Sequence, residues 1–298
     1  MNNRIVCIGE CMVELAPADD GTFRLGFAGD TFNMAWYLRR LLPADWQVDY
    51  LTALGDDPMS GRMLDFMRAA GLSIGHIAIR KGKAPGLYVI SLKDGERSFS
   101  YWRGQSAART LAQDAADLDR AFSGARALVF SGITLAILRK GARRRLLQAL
   151  KVAKRAGSLI VFDPNLRPRL WPDGTEMRDA ITEAAMGADL VLPSFEDDHG
   201  AFGDPTPKAT ADRYHRLGAD EVVVKNGAGE IHWLAAGKAG RWQPPPAPLI
   251  VDTTAAGDSF NAAFLATRLA GDDLAHAITR GAEVAARVIG TRGALVQI

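Results

Sequence analysis

Val251-Asp252-Thr253-Thr254-Ala255-Ala256-Gly257-Asp258-Ser259-Phe260 begins on an apolar run, Leu249-Ile250-Val251, that reads as a short buried strand. It ends in residues 260–266, which have the composition of a buried helix. Small residues and two aspartates lie between. A strand, a small-residue turn and a helix make an anion site. The first N–H groups of a helix have no partner within it, and the helix dipole adds partial positive charge there. The small side chains at Ala255, Ala256 and Gly257 let a phosphate approach those groups closely. Asp258 is the anomaly, because a carboxylate repels a phosphate. Two readings stand. Asp258 caps the helix, as Asp often does, or it takes a proton from a hydroxyl that attacks the phosphate.

Composition bounds the rest. The chain has 298 residues, 48% hydrophobic and 23% charged, an ordinary soluble composition with length for one large or two medium domains. The net charge of +2 is spread along the chain, which argues against nucleic acid or a membrane surface as partner. The basic run Arg143-Arg144-Arg145 sits where Leu138, Ala142, Leu146, Leu147, Leu150 and Ala153 keep a helical spacing, so its charges are expected on a solvated face. Two cysteines, Cys7 and Cys11, make neither a zinc site nor a disulfide framework, and Cys7 reads as a core residue. No signal sequence and no run of ~20 apolar residues is visible, so the expected compartment is the cytoplasm.

From residue 127 the pattern alternates. Strands are expected at 127–130, 159–162, 190–192 and 222–225, with helices at 139–156, 175–186 and 207–217. That order implies a parallel sheet covered on both faces. Before it, 87–92 and 98–103 are β-rich and joined through Asp94-Gly95, a strong hairpin signal. Together with 12–27 they suggest a separate sheet of about four strands. In Ala28-Gly29-Asp30-Thr31-Phe32-Asn33, Asp30 or Thr31 can cap a helix, and the Asn33 amide faces back towards the preceding turn. The tract 243–248 is a stiff, extended connector.

Ligands of open parallel sheets bind at the carboxyl ends of the strands. Four polar clusters fall at such ends: Asp163-Pro164-Asn165-Leu166-Arg167, Pro193-Ser194-Phe195-Glu196-Asp197, Lys225-Asn226-Gly227 and the stretch from Asp252 to Asp258. Together they favour a nucleotide and sugar cleft. The Walker and protein-kinase motif sets are absent.

Asp252-Thr253-Thr254-Ala255-Ala256-Gly257-Asp258 resembles the Asp-Thr-x-Gly-Ala-Gly-Asp signature of the ribokinase-like (PfkB) carbohydrate kinases, with Ala255 where that family usually has Gly. Ala28-Gly29 followed by Asp30 and Asn33 resembles the family's sugar-binding Gly-Gly-x-x-x-Asn element, and Gly55-Asp56-Asp57-Pro58 also recurs there. Gly9-Glu10-Cys11-Met12-Val13-Glu14-Leu15, Pro85-Gly86-Leu87-Tyr88, Tyr101-Trp102-Arg103, Ser131-Gly132-Ile133 and Asn165-Leu166-Arg167-Pro168 look like the branch of the family that acts on 2-keto-3-deoxygluconate. The resemblance spans residues 4 to 296.

It implies an α/β, ribokinase-like three-layer fold with a mainly parallel central sheet and a small β-sheet lid. Residues 1–298 would form one domain, with lid segments about 11–28 and 86–103. The implied activity is ATP-dependent phosphorylation of a keto-deoxy sugar acid at its terminal hydroxyl. Asp258 would be the base, with the amides of Ala255, Ala256 and Gly257 as the anion hole. Gly29, Asp30, Asn33, Tyr88, Tyr101, Arg103 and Arg167 would hold the sugar acid, the two arginines offering planar forks to its carboxylate. The two tyrosines have a plainer alternative, packing the lid sheet. Asn165, Ser194, Lys225, Gly227 and Gly229 would lie along ATP. The family's Asn-x-x-Glu element falls on Ser194 and Asp197, which makes Asp197 an indirect Mg²⁺ residue; the plainer reading of Glu196, Asp197 and Asp198 is a helix N-terminus attracting carboxylates. K⁺ held by backbone carbonyls near 252–254 is common in the family and leaves no side-chain trace. The partners expected are the sugar acid and ATP, with a homo-oligomer through the lid as the protein association considered. The alternatives are a kinase for a neutral sugar or for the galactonate epimer, and a sugar sensor that no longer transfers phosphate.

Overall fold

Strands buried on both faces organise the molecule. In a computed structural model, which describes residues 2–18, 20–93 and 96–298, the chain opens with β1 (Arg4–Ile8), β2 (Met12–Pro17), β3 (Phe23–Ala28), α1 (Asp30–Leu41), β4 (Gln47–Gly55) and α2 (Pro58–Ala69). Next come β5 (Ile77–Arg80), β6 (Gly86–Lys93), β7 (Glu96–Trp102), α3 (Ala115–Phe122), β8 (Ala127–Ser131), α4 (Gly132–Ile137), α5 (Lys140–Arg155) and β9 (Leu159–Asp163). Then follow α6 (Gly174–Gly187), β10 (Leu190–Val191), α7 (Phe195–Phe202), α8 (Pro207–Arg216) and β11 (Glu221–Val224). The chain closes with β12 (Ile231–Ala235), β13 (Lys238–Trp242), α9 (Ala256–Leu269) and α10 (Leu274–Ile289).

Nine strands form one sheet in the order β13-β12-β11-β10-β9-β8-β1-β4-β5, parallel from β11 through β5 and antiparallel at the β11–β12–β13 edge. Successive residues of a strand point to opposite faces. Val6 and Ile8 therefore pack with α3, α5, α6 and α8, while Ile5 and Cys7 pack with α1, α2, α9 and α10. This is the expected three-layer arrangement.

A second sheet, in the order β3-β2-β6-β7, lies apart from the first. β2 pairs in parallel with β6, and the other two pairings are antiparallel. Register puts Glu14, Tyr88 and Tyr101 on one face and Val13, Phe27, Leu87 and Trp102 on the other. The first face packs over the start of α9: Met12, Ala28, Tyr88 and Ile90 cluster with Ala294, and Ala255 touches that cluster. The expected hairpin tip, Asp94-Gly95, lies outside the described residues.

Three expectations fail. Leu249-Ile250-Val251 is neither a strand nor buried; Leu249 and Ile250 are more than half exposed. The segment joins neither sheet and runs along the end of α10, where the N–H groups of Val251 and Asp252 donate to Ile289 O. Arg143 is buried rather than solvated. Its guanidinium donates to Leu135 O, pairs with Glu176 and stacks on Trp171. Neither Asp30 nor Thr31 caps α1, because Gly29 takes that position without a side-chain bond. The acidic helix start holds, with Glu196, Asp197 and Asp198 in the first turn of α7, and of the three Asp198 points inward. It accepts from Tyr214 Oη (2.7 Å) and Arg213 Nη2 (2.6 Å), and burial holds its carboxyl up at about 7.

Candidate active site

The first turn of α9 is built on an unusual backbone. Ala255 is its N-cap, in the left-handed region with φ 60°, and carries no side-chain capping bond. Asp258 is therefore inside the first turn, and the capping reading of it fails. Ala256 N–H turns back to Thr253 O (3.2 Å), whereas the N–H groups of Ala255 and Gly257 have no partner among the described residues. Two open amides and a helix dipole remain for an anion, rather than the three amides expected.

Asp258 faces this turn from within a polar network at the carboxyl edge of the large sheet. Asn33 Nδ2 donates to Asp258 Oδ2 (2.8 Å), and Asn33 Oδ1 accepts from Gly29 N–H (3.3 Å). Gly29 is required by close approach: a β-carbon there would lie 2.1 Å from Glu10 O. Asp30 accepts from Asn165 Nδ2 (2.8 Å), and Asn165, itself at φ 34°, donates its N–H to Asp163 Oδ1 (3.2 Å). Asn261 Nδ2 donates to Asp163 Oδ2 (2.7 Å), and Lys225 Nζ reaches Asn261 Oδ1 (2.9 Å) and Asp163 (3.5 Å). Three carboxylates with one lysine leave excess negative charge. Burial, followed by the charge of Asp30, pushes the Asp258 carboxyl up to about 8 against the bond from Asn33, while burial raises Asp163. A carboxyl held this high has a strong affinity for a proton, which is what a base needs.

Sequence reasoning thus brought Gly29, Asp30, Asn33, Asn165, Lys225, Gly257 and Asp258 to one place. It placed Asp163 at this edge without a role and passed over Asn261, and these two tie the network together. Asn261 was visible as the polar residue one turn after Asp258 in an apolar helix. Ser194 lies beside Lys225 in a parallel bridge at the same edge. Gly227, at φ 55°, and Gly229 are in the exposed turn from β11 to β12.

The arginines and tyrosines are less free than expected. Arg103 is buried and gives Nε and Nη2 to the Glu10 carboxylate, with Nε at 2.8 Å. The other oxygen of Glu10 is buried without a partner. Tyr88 donates its hydroxyl to Glu14, and burial raises its pKa. Tyr101 is half exposed beside it. Arg167 Nη1 pairs with Asp197 (3.1 Å). Among the described residues, no three His, Cys, Asp or Glu side chains converge as a metal cage, and no helix is long and apolar enough to cross a membrane.

The sequence profile of the pfkB family carbohydrate kinases matches residues 2–297. The chain belongs to that family. As a pfkB carbohydrate kinase it is 37% identical to the 2-dehydro-3-deoxygluconokinase of Haemophilus influenzae, over 98% of this chain and 95% of that one. It is 36% identical to the Escherichia coli K12 enzyme of the same name, over 99% and 98%. Among solved structures, the PfkB protein of Polaromonas sp. JS666 superposes with a TM-score of 0.85 at 31% identity, covering 97% of this chain and 96% of that one. The fructokinase of Xylella fastidiosa, solved with bound ATP, shares the fold with a TM-score of 0.84 at 24% identity, covering 99% and 94%. The network around Asp258 thus lies in a carbohydrate kinase of ribokinase-like fold.

Proposed function

We propose that this kinase transfers the terminal phosphoryl group of ATP to the terminal (6-) hydroxyl of 2-keto-3-deoxygluconate, giving 2-keto-3-deoxy-6-phosphogluconate and ADP. The observation that carries the chemistry is Asp258, held by Asn33 beside two open amides. Asp258 takes the hydroxyl proton, the oxygen forms a bond to the γ-phosphorus, and the bond to ADP breaks with its electrons leaving on the β-phosphate. The amides of Ala255 and Gly257 stabilise charge on the transferring group. Lys225, Ser194, Gly227 and Gly229 border the nucleotide. Asp197 would hold Mg²⁺ through water, and the ion would supply charge neutralisation at the phosphates.

The named relatives support a sugar acid as acceptor. Gly29, Asp30 and Asn33 hold its hydroxyls. Arg167 and Tyr101 meet it from the sheet edge and from the small sheet, and Arg103 offers Nη1, the nitrogen not committed to Glu10. Residues 1–298 act as one domain in which segments 11–28 and 86–103 form a lid that excludes water from the transfer. Copies pair through the lid, which carries Phe23 and Trp102, both more than half exposed.

ADP release from MgATP over a panel of sugars and sugar acids tests the reading. The keto-deoxy acid should be preferred over fructose and ribose by about tenfold or more, the scale of a charge-assisted hydrogen bond. Asp258→Asn should slow turnover about 10²- to 10⁴-fold while keeping the fold. Preference for a neutral sugar would sink the substrate assignment. An Asp258→Asn variant within a few-fold of wild type would remove Asp258 as base.

A further inference from the structure

We propose that a cavity between the start of α5 and the stretch that follows β7 is a second ligand site, for a phosphorylated small metabolite bearing more than one anionic group. The cavity holds about 730 Å³ and shares no residue with the phosphoryl-transfer site. That volume suits a small organic molecule and greatly exceeds a single phosphate. Lys83, Arg109, Arg139 and Arg145 line it, and no Asp or Glu does. Among the described residues, Lys83, Arg109 and Arg139 have no acidic partner; the nearby Asp117 is shared by Arg80 and Arg120. Arg145 spends one nitrogen on Ala112 O (2.7 Å). Four cations around one space repel one another until an anion enters, and three guanidinium forks suit phosphate oxygens.

The backbone adds to the charge. α5 starts at this cavity with Arg139 as N-cap, no side-chain capping bond and no acidic residue in its first turn. Gly141 lines the opening, and a β-carbon there would meet nothing within 4 Å, so the N–H groups of the first turn are approachable. A separate observation points the same way. Ser106 lines the cavity, is 5% exposed, and its buried hydroxyl has no hydrogen-bond partner. A buried hydroxyl left unbonded is unfavourable, and a phosphate oxygen supplies the missing acceptor.

The test is calorimetric titration of the full chain, saturated with Mg²⁺ and a non-hydrolysable ATP analogue so that the α9 turn is filled. The titrant is fructose 1,6-bisphosphate, with fructose and inorganic phosphate as controls. One equivalent of the bisphosphate should bind, fructose should not, and inorganic phosphate should bind at least tenfold more weakly. Arg139→Glu and Gly141→Asp, both at exposed positions, should each weaken the bisphosphate tenfold or more, and Ser106→Ala several-fold, with kcat for the sugar acid unchanged. No binding of the bisphosphate overturns the site. Binding that Arg139→Glu and Gly141→Asp leave intact places the ligand elsewhere and overturns it too. Inorganic phosphate binding as tightly as the bisphosphate overturns the organic ligand.

Discussion

Asp258 carries opposing demands on stability and chemistry. Its carboxyl sits at about 8 in the folded chain, far above the ordinary ~4 of an unfolded Asp. The folded state therefore binds the extra proton between these values, and stability falls as pH rises through that window. The cost is absent below about pH 4 and complete above about pH 8. Asp258→Asn never ionises, so the variant should gain on wild type across that window. Because the side chain is partly open to the cleft, screening holds the gain to about 1–3 kcal/mol. Urea unfolding of both proteins at pH 4, 6 and 8.5 checks this; a gap that does not widen with pH contradicts it. Ala255 carries a second local cost. A non-glycine residue at φ 60° is disfavoured, and Gly adopts that conformation freely. Ala255→Gly should raise unfolding stability by about 0.5–1 kcal/mol, net of the entropy Gly loses. An unchanged or lowered denaturation midpoint would show that the turn is not strained.

At the scale of elements, the end of β7 is tied to the start of β2 by Arg103 and Glu10. The Glu10 carboxylate is fully buried, and one of its oxygens has no partner even with Arg103 present. Arg103→Ala strands that charge and should cost about 3–5 kcal/mol, as breaking a buried pair does. Adding Glu10→Gln should restore most of the loss, because an amide is cheaper to bury than an ion. Thermal melts of the single and double variants decide it: equal melting of wild type and Arg103→Ala would show that the pair holds nothing together. Arg103→Ala alone is thus a poor probe of substrate choice, since a fault between β7 and β2 should lower activity on every acceptor. Arg167, half exposed and paired with Asp197, is the cleaner one.

On the whole molecule, the face of the small sheet that is buried at Val13 and Phe27 leaves aromatic side chains exposed at its margins. Trp102 and Phe23 are 60% and 53% exposed, and aromatic residues at the centre of an interface carry much of its binding energy. Sedimentation velocity should find a dimer at micromolar concentration. Trp102→Glu should raise the dissociation constant at least about tenfold, the scale of a modest hot spot. A wild-type monomer across that range would rule out association through the lid.

Periodicity and turn chemistry alone determined the alternating strands and helices from residue 127, the β-rich 87–103 segment with its separate sheet, and the helix that follows the small residues 255–257, because these rest on spacing along the chain. The residues clustered around Asp258 were also legible, since strand ends of a parallel sheet must share one edge. Only the tertiary structure decided which polar side chains were already spent. Arg103 reads as a free cation until folding brings Glu10, 93 positions earlier, against it. Arg143 reads as solvated until Glu176 and Trp171 close over it. Leu249–Val251 has the composition of a strand, but its backbone bonds to the end of α10 instead. Asp163 and Asn261 are 98 positions apart and hold the network together. Hydrogen-bond partners distant in sequence leave no local pattern, so composition can say which groups need a partner, and only packing says which one each receives.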